Sequence, residues 1–446
     1  MFPRGAAVIE RLRLLFRNIL YNLRGGFLVR PLTIALVLGC AGAVLSWFEE
    51  IHPSIGDWIP KVLFLSRADP QVAQAILGDI ATSIMTVVSI VFAILLMTLT
   101  LASMQFSPRI IVSFARDRIT QWTLGMFLGT FLYCMAALPA AHGLPKPFAP
   151  VTTVVGAIVL AIACVAGLLF FIHHISQAIS VNHIVDRIAA ETELMIDKIM
   201  PLPRRGNRVE TGEATEAESR VMPVVNDTSG YIRFVDLQQL LALATEWRVK
   251  IQVVRRVGQF VPEGAPLLMV QKGERLSPEA AAALRATFDF GPSRTLQQDV
   301  EFGVLQIVDI ALKAISPAVN DPTTAISCVD QLSRLVIRFA SRQTPEPRLY
   351  DMQGVARVTI EWIDFERLLD SAFEQIRMYS KTDIAVSLRL LRALSDVAAS
   401  TEDEELRRIL FERAKRVVDG CAERLGAEEL KPMLLRLRAL ETLVVA

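Results

Sequence analysis

Charged side chains are missing from the segments where apolar residues are most concentrated. The runs 31–48, 81–105, 121–141 and 150–175 contain no Asp, Glu, Lys or Arg. Each is close to the roughly 20 residues that a helix needs to cross a hydrocarbon core. Pumps and ion-coupled transporters depend on ionisable groups inside the membrane, so their absence argues against both classes of protein.

Cysteine is also scarce and dispersed. The chain of 446 residues has five cysteines, and no two of them form a CxxC pair. This spacing indicates neither a zinc site nor a disulfide framework. The sequence also lacks a nucleophile–base pair, a phosphate-binding loop and an HExxH motif, which argues against an enzyme. We therefore expect no cofactor and no metal site.

Apolar residues, in contrast, make up 52% of the sequence, which is typical of a membrane protein. The segments that flank and connect the apolar runs alternate between basic and acidic. Six arginines and one glutamate precede the first run, the connection 49–80 is mostly acidic, and the next connection is basic again. The positive-inside rule then predicts four transmembrane helices with both termini in the cytoplasm. Because the basic residues lie beside the membrane, no nucleic-acid partner is expected.

The predicted fold class is an α-helical membrane protein with a cytoplasmic α+β region. We expect a small β-rich module that resembles a barrel-sandwich, followed by a helical bundle. The predicted order is a basic amphipathic helix on the anionic inner leaflet at 1–30, a four-helix transmembrane domain at 31–178, a helical stalk and charged linker at 179–220, the β-rich module at 221–292 and the bundle at 293–446.

The phrase GQFVPEGAPLLMV, residues 258–270, is the basis of the barrel-sandwich prediction. It resembles the paired-hairpin phrase of lipoyl- and biotinyl-type domains. No lysine stands in a hairpin where it could carry the prosthetic group. A structural or ligand-sensing module is therefore the favoured interpretation.

One polar pattern crosses the second apolar run. Its hydroxyl side chains recur at alternating spacings of three and four residues, and one acidic and two apolar residues continue the same spacing. We call all of these positions together the hydroxyl row. The row consists of Asp79, Thr82, Thr86, Ser89, Ala93, Leu96, Thr100 and Ser103. In a ring of identical subunits, such helices would present an acidic rim, hydroxyl rings and a dry girdle around a path for ions.

The hydroxyl row has two interpretations. In the first, it lines the pore of a homo-oligomeric ion channel that the cytoplasmic domain regulates. In the second, its hydroxyls only let helices pack closely or bond to their own backbone, and the protein is a non-conducting sensor or scaffold that binds a partner or a small ligand. The sequence leaves both interpretations open.

A second group of polar residues is predicted in the cytoplasmic part. Asp321 and Pro322 open a helix after a tight connection, and Arg294, Asp309, Asn320 and Asp321 form a candidate polar pocket. A well-capped turn between two helices explains the same residues and is the favoured interpretation.

Longer motifs carry a resemblance to a known family. QFSPRIIVSFARDR, LGMFLGTFLYC, SGYIRFVD and RTLQQDVEFGVLQIVDIALKAISPAVNDPTTA are similar to a family of predicted bacterial membrane proteins, defined as a domain of unknown function. The resemblance covers nearly the whole chain and implies a bacterial inner-membrane location. It implies no activity and no functional residue.

Overall fold

The computed structural model describes residues 29–52, 69–105, 118–141, 148–178, 180–202, 220–272 and 276–445. The predicted interfacial helix at 1–30, apart from its last two residues, and the linker at 203–219 lie outside these residues, as does the side chain of Ser103. The chain divides into two compact units, residues 1–180 and residues 181–446.

In the first unit, four of the described helices are long and apolar enough to cross a membrane, as the sequence predicts. These are α1 (Val29–Ile51), α2 (Pro70–Gln105), α3 (Arg118–Ala137), which continues into a 3-10 turn at Leu138–Ala140, and α4 (Val151–Ala178). α2 is the longest, with 36 residues. At about 1.5 Å per residue, its length of about 54 Å exceeds the roughly 30 Å thickness of a hydrocarbon core. Part of α2 therefore extends beyond the apolar layer.

Helix α3 packs against the other three described membrane-length helices of the first unit. Small residues allow α1 to approach it closely. A Cβ atom built on Gly125 would lie 2.9 Å from Cδ1 of Ile34, and one built on Gly42 would lie 2.6 Å from the carbonyl oxygen of Tyr133. Any larger side chain at either position would force the two helices apart. The GxxxG motif formed by Gly125 and Gly129 thus faces α1, and close helix packing is its role in this chain.

The second unit mixes helices and strands. Its first part contains α5 (Val181–Ile199), β1 (Arg220–Val225), β2 (Gly230–Val235), α6 (Leu237–Glu246), β3 (Lys250–Val253), β4 (Phe260–Val261), β5 (Pro266–Lys272), α7 (Pro278–Arg285) and β6 (Phe288–Gly291). Its second part contains α8 (Val300–Ala314), α9 (Pro322–Ala340), β7 (Arg348–Tyr350), β8 (Ala356–Thr359), α10 (Phe365–Tyr379), α11 (Ile384–Ala399), α12 (Glu404–Ala422) and α13 (Ala427–Val445).

The described strands form two open sheets, with the orders β1-β5-β3-β8-β7 and β4-β2-β6, and neither closes into a barrel. The phrase at 258–270 does not form a hairpin, because β4 pairs with β2 whereas β5 pairs with β1 and β3. Gly264, with a φ of +78°, turns the chain between β4 and β5 and donates its N–H to the carbonyl of Asn226. The barrel-sandwich is therefore not what the described strands build.

The boundary predicted at residue 292 also differs from the observed sheet. Strand β8 lies parallel to β3, with Ile251 opposite Val358, and β7 pairs with β8. Val358 is fully buried in the same core as Ile251 and Leu268. The sheet thus takes two of its strands from the region that the sequence assigns to the helical bundle.

Helix beginnings in the second unit follow the sequence signals closely. Ser277 caps α7, and its hydroxyl oxygen accepts the N–H of Ala280 at 3.2 Å. Asp321 caps α9 by accepting the N–H of Thr324 at 3.1 Å, and Pro322 occupies the first turn. Side-chain caps of this kind satisfy N–H groups that have no partner within the helix.

Candidate functional site

The hydroxyl row lies on the exposed face of α2. Asp79, Thr82, Thr86, Ser89 and Thr100 are all exposed, and so are the row's apolar positions, Ala93 and Leu96. Ser103 belongs to α2, but its side chain lies outside the description.

The opposite face of α2 packs inside the first unit. Ala81, Ile84, Val88 and Val91 are buried, together with Phe127 of α3. Successive residues of an α-helix turn by about 100°, which places these four positions roughly half a turn from Thr82 and Thr86. Among the described residues, packing against the other helices of the first unit therefore does not explain the hydroxyl row.

The hydroxyl groups of the row are bonded to the backbone of their own helix. The Oγ1 atom of Thr82 donates to the carbonyl of Gly78 at 2.9 Å, Thr86 donates to Thr82 at 3.0 Å, and Ser89 donates to Met85 at 3.0 Å. Thr100 repeats the pattern with Leu96 at 2.8 Å. A hydroxyl bonded in this way still has oxygen lone pairs that accept hydrogen bonds from water, and it is also tolerated in an apolar environment.

The acidic and apolar positions of the row lie at different heights along α2. The carboxylate of Asp79 is exposed just before the uncharged stretch that begins at residue 80. Leu96, whose residue surface is 60% exposed, and Ala93 stand between the hydroxyls of Ser89 and Thr100. If several copies of α2 surrounded one axis, they would place carboxylates at one end and an apolar constriction further along.

A buried carboxylate that the sequence analysis did not single out joins α1 to α4. The side chain of Glu49 accepts the N–H of Thr152 at 2.7 Å, the N–H of Thr153 at 3.1 Å and the hydroxyl of Thr153 at 3.0 Å. It therefore caps the N-terminus of α4 from another helix, where a negative charge is favourable. A signal for such a partner is present in the sequence: α4 has two threonines in its first turn and no capping side chain of its own.

In the second unit, Arg294 forms a buried ion-pair cluster. Its Nε atom lies 2.7 Å from Oδ2 of Asp299, and its Nη2 atom lies 3.1 Å from Oε2 of Glu301. The guanidinium also stands 5.6 Å from the ring centre of Phe302. Burial works against the ionisation of Glu301, but the charges and hydrogen bonds of Arg294 and Arg367 hold the pKa of that carboxyl below its usual range.

The other members of the predicted polar pocket have different surroundings. Asp321 caps α9, and hydrogen bonds from the hydroxyl and the N–H of Thr324 keep its pKa below the usual range. Asn320 is exposed and has a left-handed backbone with a φ of +50°, and Asp309 is half-buried on α8. The capped turn between α8 and α9 is thus observed, whereas ligand binding by these residues stays a prediction.

Helix α5, which the sequence analysis assigns to a stalk, packs within the second unit. The carboxylate of Asp197 accepts hydrogen bonds from Arg338 of α9 at 2.5 Å and from Arg342, just after the end of α9, at 2.6 Å. Arg334 of α9 pairs with Glu193 at 2.5 Å. The row of opposite charges fixes the rotation of α5 against α9.

Comparisons with known proteins agree with the sequence resemblance. A family model described as a predicted membrane protein, DUF2254, matches residues 24–396. An uncharacterized protein of Mycobacterium bovis and two of Mycobacterium tuberculosis are each 33% identical to the chain over 439 residues, covering 96% of this chain and 82% of the relative. No solved structure gives a significant match.

Proposed function

Because the chain belongs to the DUF2254 family of predicted membrane proteins, whose description names no activity, we propose from the geometry of α2 that the protein is a homo-oligomeric ion channel. One observation carries the proposal. The hydroxyl row, including Asp79, occupies the face of α2 that points away from the other described helices of the first unit.

The outward surface of α4 supports this interpretation by contrast. Val159, Ile162, Val165 and Leu169 of α4 are exposed and entirely apolar, as expected for a surface in contact with lipid. A face with five polar positions on one spacing differs from that surface. Apposition of several α2 helices would bring the hydroxyls together around water and leave the apolar residues of α4 in lipid.

In the proposed channel, each part of the row has a role. The carboxylates of Asp79 form a ring that favours cations, and the hydroxyl oxygens of Thr82, Thr86 and Ser89 replace part of the hydration shell of a passing ion. Leu96 forms an apolar constriction that closes when it loses water.

The proposed orientation places both termini and the second unit in the cytoplasm of a bacterial inner membrane. The alternation of basic and acidic connections along the sequence supports it. In this proposal, the second unit regulates the channel and catalyses no reaction. The cavity beside Asp299 and Glu301 is only about 50 Å³, well below the roughly 300–1,000 Å³ of small-molecule sites, so it gives no support to the alternative of a small-ligand sensor.

Reconstitution into planar lipid bilayers tests the proposal. The wild-type protein should conduct cations, and Leu96→Ser should raise the current by about tenfold, which corresponds to roughly 1.4 kcal/mol of barrier removed at the constriction. Val165→Ser places the same side chain on the exposed face of α4 and should leave the current unchanged. Absence of current from both the wild-type protein and Leu96→Ser would favour the non-conducting scaffold.

A further inference from the structure

An apolar groove opens on the side of the first unit, away from the hydroxyl row. Its volume is about 820 Å³, and α1, α3 and α4 contribute its walls. Val37, Trp122 and Phe170 line it and are each more than half exposed, so the groove is open to the surroundings. A volume of this size lies within the roughly 300–1,000 Å³ typical of small-molecule sites.

The groove has the length of one membrane leaflet. On α3, its lining residues run from Arg118 to Met126, and eight steps of about 1.5 Å give about 12 Å along the helix. Half of a hydrocarbon core is about 15 Å. Because α3 begins at Arg118, the groove starts at one end of the membrane-spanning helices and ends near their middle.

Positive charge is concentrated at the end of the groove where α3 begins. Arg118 is exposed and is the one charged side chain among the described residues that line it. Arg30 of α1 lies at the same end, where its Nη1 atom is 3.4 Å from Oε1 of Gln121. Beyond Arg118, the walls consist of apolar side chains with only the hydroxyls of Thr33 and Thr123. The groove thus has a cationic mouth and an apolar interior.

From this combination we infer that the groove binds one acyl chain of an anionic phospholipid, with the lipid phosphate at Arg118 and Arg30. An acyl chain matches the apolar walls and the leaflet length, and an anionic headgroup matches the arginines. Trp122, beside the mouth, has the amphipathic ring that suits the boundary between headgroups and acyl chains. The inference does not depend on whether α2 lines a pore.

Lipid retention provides the test. The full chain is reconstituted in vesicles that contain equal amounts of phosphatidylglycerol and phosphatidylcholine with the same acyl chains, extracted in mild detergent and purified by size exclusion. The lipids retained per chain are then counted by mass spectrometry. We expect phosphatidylglycerol to exceed phosphatidylcholine by about fivefold, from the attraction of an arginine at the membrane surface.

Matched variants locate the bound lipid. Ala166→Phe fills the groove and should remove the retained lipid, whereas Val165→Phe adds the same ring to the neighbouring exposed position outside the groove and should retain it. Arg118→Gln should reduce the excess of phosphatidylglycerol, and Arg118→Gln combined with Arg30→Gln should bring the two lipids to nearly equal retention. Ala163→Leu serves as a second groove-filling variant if Ala166→Phe does not elute as the folded protein.

Three results would overturn the inference. Equal retention of both lipids by the wild-type protein would contradict the proposed preference for an anionic headgroup. Equal lipid content in Val165→Phe and the groove-filling variants would contradict the proposed binding of an acyl chain in the groove. A change of oligomeric state in the groove-filling variants, without a change in lipid content, would assign the groove to a second copy of the chain.

Discussion

Helices α2 and α4 of the first unit each have one exposed face, but the side chains on the two faces differ in polarity. The exposed positions of α4 include Val159, Ile162, Val165 and Leu169. On α2, exposed Met85, Ile90 and Phe92 flank the hydroxyl row, which carries polar side chains along much of the helix. Both helices are long and apolar enough to cross a membrane, and both pack against the same central helix, α3.

The difference shows that exposure and polarity must be considered together. An exposed apolar face needs only lipid, so α4 needs no partner beyond the bilayer. An exposed row of hydroxyls is tolerated in lipid because those of Thr82, Thr86, Ser89 and Thr100 bond to their own backbone, but a bilayer does not require it. The row acquires a role when α2 faces water or another copy of the chain.

The largest expected effect comes from removing the carboxylate that fixes α4. Glu49→Ala should lower the free energy of unfolding by roughly 2–4 kcal/mol, because two buried N–H groups and one hydroxyl lose their acceptor. Thermal unfolding in detergent, followed by circular dichroism, measures the change. Glu49→Gln keeps one acceptor oxygen and should lie between the alanine variant and the wild-type protein. Equal stability of all three would show that the contact does not hold α4.

Acid should destabilise the second unit of the chain. The pKa of Glu301 lies below its ordinary value of 4.5 because the nearby arginines outweigh the effect of burial. A carboxyl whose pKa is lowered by folding contributes stability above its ordinary pKa, and this contribution is lost as the pH falls through the lower, folded value. The pKa of Glu374 is lowered in the same sense, with the hydrogen bond from Arg377 as the largest cause.

We therefore expect the second unit to lose stability below about pH 4.5, the ordinary pKa of Glu301. Fluorescence of Trp247 and Trp362 reports on the second unit, and that of Trp47 and Trp122 on the first. The chain has five tryptophans, so variants that retain one of these pairs as their only tryptophans follow each unit separately. Glu301→Gln should weaken the acid dependence of the second unit. An acid transition that is unchanged in this variant would contradict the assignment to Glu301.

The smallest expected change in stability is at the hydroxyl row itself. Thr86→Val should alter the free energy of unfolding by no more than about 0.5 kcal/mol, because Thr86 contacts its own helix backbone and lies on an exposed face. Val165→Thr is the reciprocal change on α4 and should be similarly mild. Chemical unfolding of the detergent-solubilised chain measures both. A loss of more than about 2 kcal/mol in Thr86→Val alone would indicate that the row packs within the chain.

Local signals in the sequence account for much of this structure. The three-and-four spacing from Thr82 to Thr100 identifies one face of α2, and Ser277 and Asp321 identify the starts of α7 and α9. These signals depend on residues within a few turns of one another. The composition of the apolar runs likewise predicts the four membrane-crossing helices.

The features that the sequence did not reveal depend on distant partners. Glu49 caps a helix whose first residues lie more than 100 positions further along the chain. Strand β8 pairs with β3 across a similar separation, with Val358 opposite Ile251. Nothing near either residue specifies the partner, because burial against a distant element decides the pairing. The same reason explains why Arg294 was assigned to a pocket with Asp321 although it pairs with Asp299 and Glu301.

The accessibility of single cysteines tests most directly whether the polar face of α2 lines a water-filled path. Cys40 is the exposed native cysteine among the described residues, so Cys40→Ser provides the background. In membrane vesicles, Thr86→Cys and Ser89→Cys should react with a charged, water-borne thiol reagent, whereas Val165→Cys on the exposed face of α4 should stay protected. Equal protection at all three positions would contradict the account, because a helix face surrounded by lipid or by another helix excludes such reagents.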